Sequence, residues 1–326
     1  MDDIKVSVLC TVYNHAEFLR ACLDGFVMQK TNFKFEVIIH DDASTDGSAD
    51  IIREYEAKYP DIFVPIYQTE NQYSKGGGIA KRFMNHKARG KYVAWCEGDD
   101  CWIHPEKLQR QVDFLDSHPD FVACVHCANW RYYSTGKSFV FPQIKESREY
   151  TAEEVILNGG GHFAFCSLMG RTDLLLNLPD SFFAWGVGDY PKYIYAAVKG
   201  GLWCMREVMS QYNNGNPGSW NNRVWSNPQK RIKIINKLTT SLNNADKYLD
   251  YKYTVAFQKV IKTNNVEIAV LNGDKSIFKD PEYKPYLKQY RVSFLKQKLY
   301  KLFPSVQDVI RKFPLLKLLK RKLFDR

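Results

Sequence analysis

Apolar and polar residues fall in blocks along this chain, and the blocks have the lengths of strands and helices. Residues 5–12 (Lys-Val-Ser-Val-Leu-Cys-Thr-Val) form an apolar run that predicts a buried first strand. Phe18, Leu19, Cys22, Leu23 and Phe26 then recur at helical spacing. Residues 35–40 predict a second strand, and Ile51, Ile52 and Tyr55 mark a helix ending before Pro60. A third strand is expected at 62–67, a helix leading to Ala88-Arg89-Gly90, and a fourth strand from Tyr92. Past Pro105, Leu108, Val112, Phe114 and Leu115 predict a helix that ends at Ser117-His118-Pro119.

The later pattern is looser. Residues 121–133 are aromatic and β-branched, a predicted strand turned at Ser134-Thr135-Gly136-Lys137. Residues 163–169 also have the apolar character of a strand. Tyr193, Ile194, Ala197 and Val198 predict a helix, residues 202–205 and 208–212 a closing hairpin, and 228–271 a helical extension. The polar stretch 213–227 is long enough to form a lid. Alternating strands and helices with short connections predict an α/β fold whose central sheet is mostly parallel and covered on both faces.

In such sheets ligands bind beyond the carboxyl ends of the strands, and three predicted strands end in polar clusters. The first ends at Thr11-Val12-Tyr13-Asn14, the second at Asp41-Asp42, and the fourth at Glu97-Gly98-Asp99-Asp100. Three carboxylates within four residues repel one another unless a cation neutralises them. Hard oxygen ligands suit Mg²⁺ or Mn²⁺, which usually reach a protein through one or two carboxylates plus substrate phosphates. A solvated acidic turn is the plain alternative for 97–100, and a helix N-cap is the plain alternative for Asp189. Gly76-Gly77-Gly78 lacks the Gly-Lys-Ser/Thr ending of a phosphate loop and does not fit the dinucleotide fingerprint, which lowers both of those classes.

Composition and charge refine this picture. A hydrophobic share of 45% supports a packed core over 326 residues, and no run approaches a membrane span. The acidic start, Met1-Asp2-Asp3, reads as no secretory leader. Eight cysteines without a framework fit reduced, buried thiols and a cytoplasmic setting. Cys124 and Cys127 form a lone C-x-x-C without a second pair, so they are expected to line two faces of a strand rather than hold a metal. The net charge of +10 sits in the tail: residues 284–326 hold 13 basic and 2 acidic side chains, leaving the rest at −1.

Taken together, the three strand-end clusters resemble the family 2 glycosyltransferases, whose GT-A fold is a nucleotide-sugar-binding α/β sandwich. The resemblance is carried by residues 6–14, 38–48 and 90–102, and more loosely by Gly188-Asp189-Tyr190-Pro191 and 207–212. It implies that Thr11, Tyr13 and Asp42 hold the nucleotide base with Asp41 beside them. Glu97-Gly98-Asp99 takes the place of the family's D-x-D, with Asp99 facing the ribose and Asp100, together with Asp99, meeting the metal on the diphosphate. Asp189 matches the family's catalytic base. One base opposite the leaving group implies a single displacement and inversion at the anomeric carbon. The Gln-x-x-Arg-Trp motif of processive members is missing, which implies one sugar added per encounter.

The expected organisation is a GT-A domain at 1–225 (nucleotide-sugar binding in 1–120, acceptor side in 121–225), a helical extension at 226–283 and a basic amphipathic tail at 284–326. Leu295, Leu299, Leu302 and Val306 alternate with lysines in that tail, the pattern of a helix lying on an anionic membrane surface; a helix packed on the body or on a partner, with its lysines solvated, is the plain alternative. The expected partners are a nucleotide-diphospho-sugar, UDP-linked by family habit, and a glycan or lipid-linked acceptor of surface polysaccharide assembly. Nucleic acid is not favoured. A nucleotidyltransferase and a non-catalytic nucleotide-sugar-binding module are the competing readings; the first normally carries a glycine-rich basic loop after its first strand, which Thr11-Val12-Tyr13-Asn14 is not.

Overall fold

In the computed structural model the described residues are 3–76, 78–179 and 189–287. The predicted tail helix, from residue 288 onward, lies outside them, as do residues 180–188, which include Gly188 of the loosely matched motif. The chain divides into two compact units, residues 1–256 and 257–326. The boundary expected at 225/226 therefore falls inside the first unit, which also takes in the helix Pro228–Tyr248.

The first unit opens with β1 (Ile4–Val12), α1 (Ala16–Val27), β2 (Lys34–Asp41), α2 (Ser48–Lys58) and β3 (Phe63–Tyr67). The helix expected before Gly90 is only a short π turn, Ala80–Met84, and a 3-10 turn, Asn85–Lys87. Then come β4 (Tyr92–Trp95), β5 (Cys101–Trp102), α3 (Lys107–Ser117) and the long β6 (Ala123–Tyr132), which β7 (Ser138–Phe141) partners. After β8 (Arg148–Tyr150) and α4 (Ala152–Asn158) the chain enters β9 (Met169–Arg171) and α5 (Thr172–Leu175). It continues through α6 (Tyr190–Lys199), β10 (Leu202–Asn214), α7 (Trp220–Trp225) and α8 (Pro228–Tyr248).

These strands form one sheet in the order β3-β2-β1-β4-β9-β6-β10-β5. The first four are parallel, as expected of strands buried on both faces. The second half is mixed: β9 runs antiparallel to β4 and β6, and β5 runs antiparallel to β10. The sheet is thus half parallel rather than mostly parallel. Two local readings change with it. Residues 163–169 fold chiefly as an irregular buried segment with a 3-10 turn at Phe165–Ser167, and only Met169 enters a strand. Residues 202–212 form one strand, not a hairpin; register shifts at Met205/Val208 and Val208/Ser210 absorb the exposed pair Arg206-Glu207.

The chain passes β1, β2 and β3 in one direction and returns to place β4 on the other side of β1. That reversal opens a crevice beyond the carboxyl ends of β1 and β4, the place where open α/β sheets take ligands. The core beneath is continuous, with Val6, Val8, Cys10, Leu19, Leu23, Phe26, Val37, Ile39, Ala94 and Trp102 all buried. All eight cysteines are buried and free. Cys124 and Cys127 lie on opposite faces of β6, as expected of positions three apart on a strand.

The second unit contains most of α9 (Thr254–Asn272) and a small apolar cluster of Val266, Val270 and Leu287. Lys262 pairs with Glu282 at 2.9 Å there.

Candidate active site

The site starts from hydrogen bonds that hold three strand ends level. Asp42 N donates to Val12 O at 2.9 Å, and Gly98 N donates to Thr11 O at 3.0 Å. These bonds extend the β1–β2 and β1–β4 ladders past the strands and bring Thr11-Tyr13, Asp41-Asp42 and 97–100 to one rim. Glycine is required at 98, because a Cβ there would stand 2.9 Å from both His15 Nδ1 and Val12 Cγ2.

The polar stretch 43–48 ties the rim to α1. Asn14 N donates to Ser44 Oγ at 2.9 Å, His15 N to Ser48 Oγ at 3.0 Å, and Ala16 N to Asp46 Oδ2 at 2.9 Å. The α1 N-terminus, with no side-chain cap of its own, is thus capped from the neighbouring loop. Asn14 and Ala43 both take left-handed backbone conformations, at φ 57° and 60°.

On the β2 side, Asp42 is 4% exposed and both its oxygens are engaged. Gln72 N donates to Oδ1 at 2.7 Å and Tyr73 N to Oδ2 at 3.0 Å, so this carboxylate anchors the 69–78 loop. Asp41 Oδ2 accepts from Ser44 N at 3.2 Å, whereas its buried Oδ1 has no partner among the described residues. Thr11 and Tyr13 are half-buried at the rim, and the Thr11 side chain hydrogen-bonds Glu97.

The three acids of 97–100 divide into two that face the cleft and one that does not. Glu97 is exposed at the floor of the cleft. Crowding by protein, then repulsion from Asp99 and Asp189, pushes its carboxyl upward from the usual range. Asp99 accepts from Asn216 Nδ2 at 2.8 Å, with its side chain 14% exposed and His15 Nε2 4.0 Å away. Asp100 is 2% exposed and accepts from Asn213 N at 2.8 Å; burial pushes its carboxyl well up. An inward carboxylate bound to a backbone N–H is built as a brace. Of the two residues expected at the metal, Asp99 has its side chain toward Asn216 and His15, whereas Asp100 is turned inward onto β10.

Asp189 stands at the start of α6, where its Oδ1 accepts from Tyr190 N at 2.7 Å. The capping role and the cleft position coexist, since the side chain is only half-buried and is felt electrostatically by Glu97. Burial raises its carboxyl, while the nearby Lys192 ammonium opposes the shift. Gly160 packs against this corner: a Cβ there would lie 2.9 Å from Tyr190 Cβ and 3.7 Å from Asp189 Oδ1.

Tyr212 lies on β10 beside Asn213; burial, then repulsion from Asp100, Glu97, Asp99 and Asp189, pushes its hydroxyl well up. Tyr212 entered the sequence reading only as the end of the loosely matched 207–212, and the asparagines that brace the acidic loop did not stand out. Asn213 Nδ2 donates to Asp99 O at 2.7 Å, in addition to its N–H bond to Asp100. The stretch read as a lid is largely ordered by these bonds, with β10 running to Asn214 and α7 beginning at Trp220.

An acid-lined cleft at the ends of parallel strands, flanked by a second, mixed half-sheet, is the layout of the GT-A glycosyltransferase fold. Comparison with known proteins agrees. The model of glycosyl transferase family 2 matches residues 7–175, more than half of the chain, and the chain belongs to that family. An uncharacterised protein of Mycobacterium tuberculosis is 40% identical over 153 residues, covering 46% of this chain and 43% of that protein. The putative teichuronic acid biosynthesis glycosyltransferase TuaG of Bacillus subtilis is 34% identical over 110 residues, covering 34% of this chain and 41% of TuaG. The matches thus span less than half the length of these relatives. Among solved structures, residues 1–349 of S. aureus TarS in complex with UDP-GlcNAc superpose with a TM-score of 0.59 at 17% identity, covering 90% of this chain and 81% of that one. At that identity the likeness concerns the fold.

Proposed function

We propose that this chain transfers one sugar, with inversion, from a nucleotide-diphospho-sugar to a hydroxyl of a glycan or lipid-linked acceptor in surface polysaccharide assembly. The observation that carries the reading is the rim where the ends of β1, β2 and β4 are held level by the Asp42 N–Val12 O and Gly98 N–Thr11 O bonds, with Asp99 steadied by Asn216 and Asp189 opening α6. TarS, whose structure was solved with UDP-GlcNAc, supports a UDP-linked donor, and the naming of TuaG for teichuronic acid biosynthesis supports the glycan context.

Thr11, Tyr13, Asp41 and Asp42 would line the base pocket. A carboxylate has about four lone-pair positions, so Asp42 can anchor the 69–78 loop and still accept from a base. The unpartnered Asp41 Oδ1 is a second acceptor there. The donor set fits Mn²⁺ or Mg²⁺. Asp99 offers a carboxylate at the cleft, with Glu97 beside it, and no three His, Cys, Asp or Glu among the described residues gather to enclose an ion without substrate. Such a set leaves the remaining positions to donor phosphates and water. When bound, the ion would act as a Lewis acid toward the leaving diphosphate.

Asp189 would take the proton from the acceptor hydroxyl, holding that oxygen within about 2.6–3.2 Å of its carboxylate. Lys192 would keep Asp189 ionised, and Tyr212 would orient the groups between the acids. The test is a thermal-shift screen of UDP-, GDP- and dTDP-sugars with and without Mn²⁺. One nucleotide-sugar should raise the melting temperature by mass action, and more so with the metal. A screen with no stabilising donor would defeat the reading.

The chain would act on the cytoplasmic side of a membrane. No helix among the described residues is long and apolar enough to cross one. Attachment through the basic residues of 284–326 is tested by flotation with anionic liposomes, comparing the full chain with one lacking that stretch. Equal flotation would rule the attachment out.

A further inference from the structure

We propose that the aromatic face of the β10–β6–β7 ladder is an acceptor subsite that binds the second and later sugars of a glycan chain through their apolar ring faces. The proposal rests on the glycosyltransferase reading above and deepens it, because it makes the acceptor an oligosaccharide rather than a single sugar or a bare lipid.

The strand register builds the face. Residues directly opposite one another in a ladder project to the same side of the sheet. Tyr212 on β10 lies opposite Trp130 on β6, which lies opposite Phe139 on β7. Phe141 stands opposite Ala128, and Tyr132 opposite Asn214. One side of three strands therefore carries Tyr212, Trp130, Tyr132, Phe139 and Phe141. Their rings touch: Trp130 is 4.4 Å from Tyr212, 6.2 Å from Phe139 in a stacked arrangement, and 5.7 Å from Phe141. Tyr132 lies 5.7 Å from Phe139.

The face is continuous with the catalytic cleft at its inner end and open at its outer end. Tyr212 adjoins Asn213, whose N–H donates to Asp100 at 2.8 Å and whose Nδ2 donates to Asp99 O at 2.7 Å. Phe141 meets His162 edge-on at 5.3 Å, in the same short turn, Gly160–His162, that sets Gly160 against Asp189. At the outer end Tyr132 is 42% and Phe139 37% exposed. A hydroxyl entering beside Asp189 thus has this face leading away from it.

The chemistry of the face matches a glycan. The face ends in two exposed rings, Tyr132 and Phe139, backed by the half-buried Trp130, Phe141 and Tyr212, and exposed apolar surface that adjoins a cleft marks an interaction site. Aromatic rings carry a negative face, which attracts the polarised C–H bonds on the apolar face of a pyranose. The sugar's hydroxyl rim remains free for water or for amides such as that of Asn214. Rings held on paired strands lose little conformational freedom on binding, so the protein's share of the ordering cost for each stacked sugar is small.

The experiment uses the full chain and a glycan array of bacterial surface oligosaccharides of one to six sugars. Wild type is compared with Tyr132→Ala, Phe139→Ala, the double variant and the ring-preserving Tyr132→Phe. Wild type should retain glycans of two or more sugars. The double variant should lose at least tenfold in apparent affinity, and Tyr132→Phe should bind within threefold of wild type. Unchanged melting temperatures establish that the variants are folded. Retention of no glycan by wild type, or wild-type binding by the double variant, overturns the proposal. So does a change confined to self-association in sedimentation, which would make the patch a contact between copies. A donor thermal shift run in parallel separates the two readings. Donor binding without glycan binding removes the subsite alone, whereas loss of donor binding across the whole panel removes the enzyme reading and the subsite with it.

Discussion

Replacing Asp99 and Asp100 one at a time separates a carboxylate that meets the donor from one that braces the loop. Asp100 is 2% exposed, and Asn213 N–H donates to it at 2.8 Å. Burial, then repulsion from Cys166 and Asp99, raises its carboxyl well above the usual range. Asp100→Asn keeps an oxygen for that N–H and removes little charge, so it should change stability by less than about 1 kcal/mol. Asp100→Leu strands a buried N–H, which costs about 1–3 kcal/mol, at about 2–4 °C per kcal/mol for a domain of this size. Asp99 has its side chain at the cleft, steadied by Asn216 Nδ2 at 2.8 Å. Asp99→Asn should leave the fold intact, abolish the Mn²⁺-dependent part of the UDP-induced thermal shift, and lower kcat/KM by about 10²–10³-fold. A hundredfold loss of affinity at 100 times the original Kd removes about 2.3 kcal/mol of ligand stabilisation, well within the resolution of the assay. The assay is thermal denaturation with UDP across a Mn²⁺ titration. If Asp100→Asn loses the Mn²⁺ increment and Asp99→Asn keeps it, the assignment is reversed and the reasoning from burial fails.

Four further outcomes follow from the same geometry. The acidic limb of the kcat–pH profile should lie above the ordinary carboxylate range, because burial raises Asp189 and the base works only when ionised. Lys192→Met should move that limb further alkaline by removing the opposing cation; the effect should fade above about 8, where burial has already discharged Lys192, and an unmoved limb counts against Lys192 acting on the base. Asp42→Ala should release the Gln72 and Tyr73 amides, weaken UDP binding at least tenfold by calorimetry and make the 69–78 loop cleavable by trypsin; wild-type affinity would remove Asp42 from the base pocket. Ala43→Gly should raise the melting temperature, since a non-glycine residue at φ 60° carries roughly 1–2 kcal/mol of backbone strain, and a lowered value would contradict that.

The parts of the site that the sequence made legible are those whose physics is local. Parallel strands buried on both faces must read as continuous apolar runs, and acids placed at their ends stand out against those runs. That is why the strand-end clusters at Thr11, at Asp41-Asp42 and at 97–100 stand out in the pattern, while a role for each residue in them came only with the family resemblance. Asp100 is indistinguishable from Asp99 in sequence, because the two differ only in which way the backbone turns them, and Asn213 decides that from more than a hundred positions away. Asn213, Asn216 and Tyr212 carry no mark of their own; their partners belong to another strand end. The single strand 202–214 resembled a hairpin because Arg206-Glu207 interrupts the apolar run, and only a register shift against β6 lets a strand accommodate such a pair. Residues 163–169 show the converse limit. An apolar run reports burial, and a buried irregular segment with a 3-10 turn satisfies that condition as well as a strand does.

The most direct measurement is a proton NMR time course of nucleotide-sugar turnover, using the donor that the thermal-shift screen selects, with wild type and Asp189→Asn side by side. From an α-linked donor, wild type should first release or transfer the sugar in the β configuration. Asp189→Asn should still be stabilised by donor and Mn²⁺ while turning over about 10²–10⁴-fold more slowly. A first product that retains the α configuration, or an Asp189→Asn variant as fast as wild type, would contradict a single displacement driven by a base at the start of α6.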